Sequence, residues 1–215
     1  MKTLASIFSW VFLPLFTPIY ALLIVFYLPS TPSSFLLADS LYHYPEAIKI
    51  LFLSLFLVFI VFAPGLSLVV LKANKSISSL ELENQDERPK PIAIMIFYSS
   101  VLYLFLILQT ESNFIPNSIK AMALGGIIIS VVAYFVNKIL KISLHAMGLG
   151  ALLGFVFSYY MSAETFFLWP IFLIISISAI TLSGRLILKA HNLREIAYGY
   201  FLGFIIQVLT IYFYG

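Results

Sequence analysis

Apolar stretches near the length of a bilayer crossing recur along this chain of 215 residues and restrict its fold more than any other feature. A membrane-spanning helix needs about 20 apolar residues, and it satisfies its own backbone hydrogen bonds within the hydrocarbon. The chain has seven such stretches: 4–28, 47–71, 92–108, 119–140, 147–161, 166–186 and 193–214. They predict an all-α, polytopic membrane bundle of six to seven transmembrane helices, in which residues 1–215 form a single integral membrane domain. Pro14 and Pro18 should bend the first helix.

Composition supports this class and excludes others. The chain is 62% hydrophobic and 10% charged, with a mean hydropathy of +1.06, which lies outside the range of soluble domains. A net charge of +3, concentrated at the ends of apolar stretches, does not favour a nucleic-acid partner. The absence of cysteine excludes disulfides, thiolate catalysis and cysteine-based metal sites.

The basic residues are unevenly distributed between the two faces of the predicted bundle. If the helices alternate in direction, only Lys49 and Lys120 fall on one face. The other face receives ten of the twelve basic residues: Lys2, Lys72, Lys75, Arg88, Lys90, Lys138, Lys141, Arg185, Lys189 and Arg194. By the positive-inside rule, this charged face is predicted to be cytoplasmic.

Alternation also brings three separate polar segments to the charged face. Their sequences are Glu87-Arg88-Pro89, Ser143-Leu144-His145, and a third segment running from Arg185 through His191 to Glu195. Most lysines of this face are expected to be solvated or to extend along the bilayer surface. His43, in the opposite loop, is expected to be a surface or structural residue.

The residue types in these segments suit phosphoryl transfer. Two arginines can hold a phosphate through forked hydrogen bonds, one histidine can act as nucleophile, and another can protonate a leaving oxygen. Glu195 follows His191 by four residues, so on a helix its carboxylate can accept the second N–H of the imidazole. No set of acidic residues and histidines predicts a metal site. We therefore expect chemistry that needs neither a metal nor a cofactor.

The spacing of these residues resembles the type 2 phosphatidic acid phosphatase family. Arg185, His191 and Glu195 are similar to its third motif, SRx5Hx3D, while Ser143-Leu144-His145 resembles the end of the second, PSGH, and Arg88-Pro89 the end of the first, Kx6RP. The resemblance covers residues 81–203. It implies a helical core like that of this family.

The resemblance also implies a role for each matching residue. His191 would be the nucleophile that forms a phosphohistidine, Glu195 would orient it, and His145 would protonate the leaving group. Arg88 and Arg185 would bind the phosphoryl oxygens with help from Ser143.

Several positions depart from the family motifs. Glu81 stands where the family has the first-motif lysine, and Ile142 and Leu144 replace the proline and the glycine of the second motif, PSGH. Residues that could substitute for the missing cation are Lys75, Lys90 and Lys189.

The function implied is hydrolysis of a membrane lipid phosphomonoester or a lipid diphosphate such as a prenyl diphosphate. The protein would lie in a bacterial inner membrane among membrane lipids. Family analogy puts the active face in the periplasm, whereas the charge distribution puts it in the cytoplasm. The sequence indicates no oligomeric state.

Two other functions remain open. A divergent, non-catalytic relative or a transporter would use the charged residues to bind a lipid headgroup or another anion. An intramembrane prenyltransferase would need two aspartate-rich sites for magnesium diphosphate, whereas Asp39 and Asp86 are predicted on opposite faces.

One structural condition follows for the third segment. Arg185 and His191 lie six residues apart and cannot share one face of an unbroken helix. The functional interpretation therefore predicts a bend near Lys189.

Overall fold

The structure is a computed structural model that describes residues 2–31, 40–82, 84–109, 115–163 and 167–214. Within these ranges the chain is helical and contains no strand. Its α-helices are α1 (Lys2–Val11), α2 (Thr17–Tyr27), α3 (Glu46–Phe56), α4 (Ala63–Ala73), α5 (Pro89–Leu108), α6 (Asn117–Val136), α7 (Leu144–Met161), α8 (Leu168–Ile187) and α9 (Leu193–Tyr214).

Six helical segments of the described chain are long and apolar enough to cross a membrane. They are Glu46–Ala73, Gln85–Leu108, Asn117–Val136, Leu144–Met161, Leu168–Ile187 and Leu193–Tyr214. The first of these joins α3 to α4 through a π-helical segment, Leu57–Phe62, just before Pro64, which cannot donate a backbone hydrogen bond. The predicted polytopic helical bundle is confirmed, and the chain is an integral membrane protein.

The first apolar stretch forms two short helices and not one bent helix. α1 ends at Val11 and α2 begins at Thr17, with Pro14 in the connection and Pro18 in the first turn of α2. The two prolines break the helix because each lacks an N–H and restricts the residue before it. α1 packs against α8, and α2 packs against α7.

α7 and α9 form the most closely packed pair of helices. A Cβ atom at Gly203 would lie 2.0 Å from the carbonyl oxygen of Met147, and one at Gly150 would lie 2.0 Å from that of Tyr200. The two backbones are therefore in direct contact, as small residues permit within membranes. This contact holds the beginning of α7 beside the beginning of α9, where Ser143 N–H donates to the Glu195 carbonyl at 3.3 Å.

Candidate functional site

The predicted bend between Arg185 and His191 is present. α8 ends at Ile187, Lys189 has a left-handed backbone with φ of 56°, and the Ala190 N–H donates to the Arg185 carbonyl at 3.1 Å. This pattern of a left-handed residue and a hydrogen bond that reaches back five residues ends a helix sharply. Arg185 therefore lies in the last turn of α8, and His191 lies two residues before the start of α9.

A capping interaction fixes Glu195 at the start of α9. The Glu195 N–H donates to Asn192 Oδ1 at 3.0 Å, while the Asn192 N–H and side-chain amide donate to the Glu195 carboxylate at 3.3 and 2.8 Å. These reciprocal hydrogen bonds satisfy donors that the first turn of a helix leaves unpaired. They also hold the Glu195 carboxylate within hydrogen-bond distance of His191.

His191 is buried and hydrogen-bonded to Glu195, with 2.8 Å between Nδ1 and Oε2. A carboxylate accepts, so Nδ1 carries the proton and Nε2 keeps its lone pair. Burial lowers the pKa of His191, the hydrogen bond to Glu195 opposes this effect, and the positive charges of Arg88 and Arg185 lower the pKa further. The side chain is therefore a neutral imidazole at neutral pH, with its unprotonated nitrogen facing away from Glu195.

Arg88 connects four parts of this end of the bundle. Its Nε donates to the Leu82 carbonyl at 2.8 Å, and Nη1 donates to the Ile142 carbonyl at 2.8 Å and to Asn137 Oδ1 at 3.4 Å. Its Nη2 lies 3.5 Å from His191 Nε2. The guanidinium thus ties α5 to the connections before α5 and α7, and it lies beside the unprotonated nitrogen of His191.

Arg185 forms an ion pair with Glu81. Its Nη1 lies 3.9 Å from Glu81 Oε2, with Arg185 almost fully buried and the Glu81 side chain 34% exposed. The neighbouring Leu82 has a left-handed backbone with φ of 54°, and its carbonyl oxygen accepts a hydrogen bond from Arg88. Both arginines therefore contact the same short segment, one through a carboxylate and the other through a carbonyl.

His145 is buried in the first turn of α7 and is held by α1. Its Nε2 lies 3.1 Å from the Ser9 carbonyl oxygen, which can only accept, so Nε2 carries a proton. This contact fixes the orientation of the ring and leaves Nδ1 as the nitrogen that can exchange a proton. The sequence gives no indication of the contact between Ser9 and His145, because the two residues are 136 positions apart.

Four other residues named from the sequence do not line the site. The Ser143 hydroxyl caps α7 by accepting from the Ala146 N–H at 3.3 Å, and the side chain is fully buried outside the cavity described below. The possible substitute cations Lys75, Lys90 and Lys189 are exposed, and none of them lines that cavity.

Arg88, His145, Arg185 and His191 meet at one end of a cavity of about 500 Å³, whereas Glu195 does not line it and contacts the site through its hydrogen bond to His191. We call this the charged end; its residues are Glu81, Arg88, His145, Arg185 and His191. Beyond it the cavity passes between α2, α4, α5, α6 and α7, with walls formed largely by apolar side chains. Its volume lies within the usual range for small-molecule sites in proteins.

The charges at this end nearly cancel. Arg88 and Arg185 carry two positive charges, the carboxylates of Glu81 and of Glu195 behind His191 carry two negative charges, and His191 is neutral. Within the described ranges, no three histidine, aspartate or glutamate side chains group as ligands for a metal ion. The arrangement offers two cationic donors and one imidazole lone pair to an anion that reaches it from the apolar cavity.

Comparison with protein-family models, with curated proteins and with solved structures finds no match for this chain.

Proposed function

We propose that this protein is a membrane lipid-phosphate phosphatase that acts through a phosphohistidine. One observation carries the proposal: a largely apolar cavity ends at two buried arginines and at a histidine whose Nδ1–H is held by a carboxylate. An amphiphile with a phosphate headgroup complements such a cavity, because its chain can stay in apolar surroundings while its headgroup meets the arginines.

In the first step, His191 Nε2 attacks the phosphorus atom. The new N–P bond forms as the bond between phosphorus and the ester oxygen breaks. Glu195 stabilises the positive charge that develops on the imidazole, and Arg88 and Arg185 neutralise charge on the phosphoryl oxygens. The leaving oxygen takes a proton from His145 Nδ1.

His145 must carry two protons to act as this acid. Its Nε2–H stays on the Ser9 carbonyl, and the charge of the arriving phosphate offsets the cost of a buried imidazolium. After donating its proton, neutral His145 can accept one from a water molecule that attacks the phosphohistidine. Phosphate then leaves, His191 Nε2 regains its lone pair, and His145 is ready for another cycle.

The test is to trap the intermediate in purified protein. Substrates labelled in the phosphate group would include phosphatidic acid, phosphatidylglycerol phosphate, a prenyl diphosphate and lipid A. We expect at least one to leave an acid-labile label on the wild-type protein and none on His191→Ala. His43→Ala is the matched control, because His43 is exposed and its Nδ1 forms a hydrogen bond with Ser40 at the other end of the bundle. Phosphate release by His191→Ala at the wild-type rate would overturn the mechanism.

A second candidate is a protein that binds a lipid phosphate or another anion without turnover. The observation that favours it is the contact between Glu81 and Arg185, since a carboxylate at the charged end lowers its affinity for phosphate. This candidate predicts binding of the same lipids with no phosphate released and no label trapped. The trapping experiment distinguishes the two functions.

We also propose that the charged end faces the cytoplasm of a bacterial inner membrane, because ten of the twelve basic residues lie on that side. The chain has no cysteine, so single cysteines can report its orientation. Asn74 lies on the charged side and His43 on the other, and both are exposed. We expect an impermeant thiol reagent added outside cells to label His43→Cys and not Asn74→Cys. The reverse pattern would put the charged end in the periplasm.

A further inference from the structure

The cavity contains an unusual polar group far from its charged end. Gln207, on α9, is 2% exposed and lines the cavity, and its Nε2 has no hydrogen-bond partner among the described residues. At about 1.5 Å of rise per residue, it lies about 18 Å beyond Glu195 along α9. Half the thickness of bilayer hydrocarbon is about 15 Å, so this amide lies near the middle of the membrane.

Two glycines hold the amide in place. A Cβ atom at Gly125 of α6 would lie 2.3 Å from Gln207 Oε1 and 2.9 Å from Nε2. A Cβ atom at Gly154 of α7 would lie 3.2 Å from Gln207 Cβ. The space that these glycines leave fixes the amide, although a side chain of the same shape without polar atoms would fill that space equally well.

A buried amide donor without a partner destabilises a protein, and the penalty is largest where water is scarce. Polar residues inside membrane bundles commonly face a ligand path or a cavity. Ser99 of α5 and Ser130 of α6 line the same cavity, and the Ser130 hydroxyl donates to the Gly126 carbonyl at 2.8 Å. Ser99 lies about 16 Å along α5 from Arg88, at a depth similar to that of Gln207. Ser130 lies nearer the charged end, so the otherwise apolar cavity has two polar side chains, Ser99 and Gln207, at one level.

We propose that the cavity binds a lipid whose chain carries a hydroxyl or carbonyl oxygen at the level of Gln207, where that oxygen accepts a hydrogen bond from Nε2. The oxygen would lie roughly 16–18 Å from the phosphate at the charged end, by the helical rise between the two levels. This inference rests on the proposed binding of a lipid phosphate and adds the chemistry of the chain. Gln207 is a residue that determines specificity and takes no part in the reaction.

The experiment measures binding of alkyl phosphates to the purified protein in lipid nanodiscs. The set contains one plain chain and chains of equal length with a single hydroxyl group placed at successive positions. We expect affinity to peak, about fivefold above the plain chain, for the hydroxyl at the level of Gln207. The peak should disappear in Gln207→Met, which should bind the plain chain at least as well as wild type does.

Thr210→Val is the matched control, since Thr210 is a buried polar residue of α9 that does not line the cavity and donates to the Ile206 carbonyl. It should keep the peak. Equal binding of all chains by wild-type protein would overturn the inference, as would a peak for a hydroxyl close to the phosphate or a peak that survives in Gln207→Met.

Uncharged alcohols with the same hydroxyl positions separate this inference from the proposed function. If the alcohols show the peak and the phosphates bind with no higher affinity than the alcohols, the role of Gln207 is supported and the proposed binding of a phosphate headgroup is wrong. If phosphates bind tightly without a peak, the headgroup assignment stands and the role of Gln207 fails.

Discussion

The two ends of the bundle both bury polar groups, but they use them differently. At the end opposite the charged end, Tyr159 Oη accepts from the Leu41 N–H at 2.9 Å and lies 3.0 Å from Ser30 Oγ, while Ser40 Oγ donates to the Ser30 carbonyl at 2.7 Å. The Lys49 ammonium is buried and lies 5.2 and 5.4 Å from two tyrosine ring centroids. Of these five residues, none lines the cavity.

At the charged end, by contrast, buried polar groups surround open space. His191 presents Nε2 beside Arg88, and two arginines, two histidines and Glu81 line the cavity. Hydrogen bonds at the opposite end stabilise the association of α2 with α7. Hydrogen bonds at the charged end orient groups toward the cavity. Burial of polar residues alone therefore does not separate the two ends; what separates them is that the polar residues of the charged end line a cavity.

The largest expected effect comes from Glu195→Gln. A glutamine could hold His191 in the wrong tautomer and would not stabilise an imidazolium, so we expect the rate of phosphate release to fall on the order of 10²–10⁴-fold. Glu46→Gln is the control at the opposite end, where the carboxylate accepts a hydrogen bond from the Tyr27 hydroxyl. That variant should keep its rate. Similar losses in both variants would remove the functional distinction between the two ends.

A second prediction concerns the α7–α9 contact that connects the ends. Gly203→Ala should lower the free energy of unfolding by about 1–3 kcal/mol, because the added methyl meets the Met147 carbonyl and the helices must separate. Gly65→Ala is the control, since no heavy atom lies within 4 Å of a Cβ built there and alanine favours a helix. Thermal unfolding in detergent measures both. Equal stability of the two variants would contradict the close packing.

Features that depend on local spacing were predictable from the sequence. The apolar stretches predicted the number of spans to within one, because helix length in a membrane follows from bilayer thickness. The four-residue spacing of His191 and Glu195 predicted their hydrogen bond, and the six-residue spacing from Arg185 required the bend that Lys189 supplies.

Contacts between distant segments were not predictable in the same way. The pairing of Arg185 with Glu81, and that of His145 with Ser9, each join residues more than 100 positions apart, and no periodicity relates them. The Leu82 carbonyl reaches Arg88 through a left-handed leucine, a conformation that sequence does not favour at that residue.

Ser143 was a different case, since its role depended on where α7 begins. The apolar stretch suggested a start near residue 147, which would have left the hydroxyl free to bind phosphate. The helix begins at Leu144 instead, so Ser143 becomes its N-cap. A serine that directly precedes a helix is a common cap, and that signal was present in the sequence.

Acid should affect the charged end through His191. Because its pKa is lowered from the usual value of about 6.5, the neutral side chain stabilises the fold above that pH. This stability is lost as pH falls from about 6.5 through the lowered pKa of the folded state. His191→Asn should therefore lose less stability than wild type over that interval.

The rate of phosphate release should also fall as the pH falls, because protonation of His191 removes the lone pair of Nε2. Chemical unfolding at a series of pH values measures the stability difference. His43→Asn, at the opposite end, should follow the wild-type curve. A wild-type curve parallel to that of His191→Asn would show that this histidine is not buried in its neutral form.

The smallest expected effect is a gain of affinity at Glu81. The carboxylate of Glu81 competes with phosphate for Arg185, so Glu81→Gln should bind inorganic phosphate or a lipid phosphate roughly threefold more tightly at low salt. Asp86→Asn is the matched control, because Asp86 is exposed in the same connection and does not line the cavity. If both variants gain equally, the effect is one of overall charge and not of the contact with Arg185. If Glu81→Gln alone gains affinity, its phosphate release decides between the two candidate functions, since an enzyme should keep turning over and a binding protein should only hold its ligand longer.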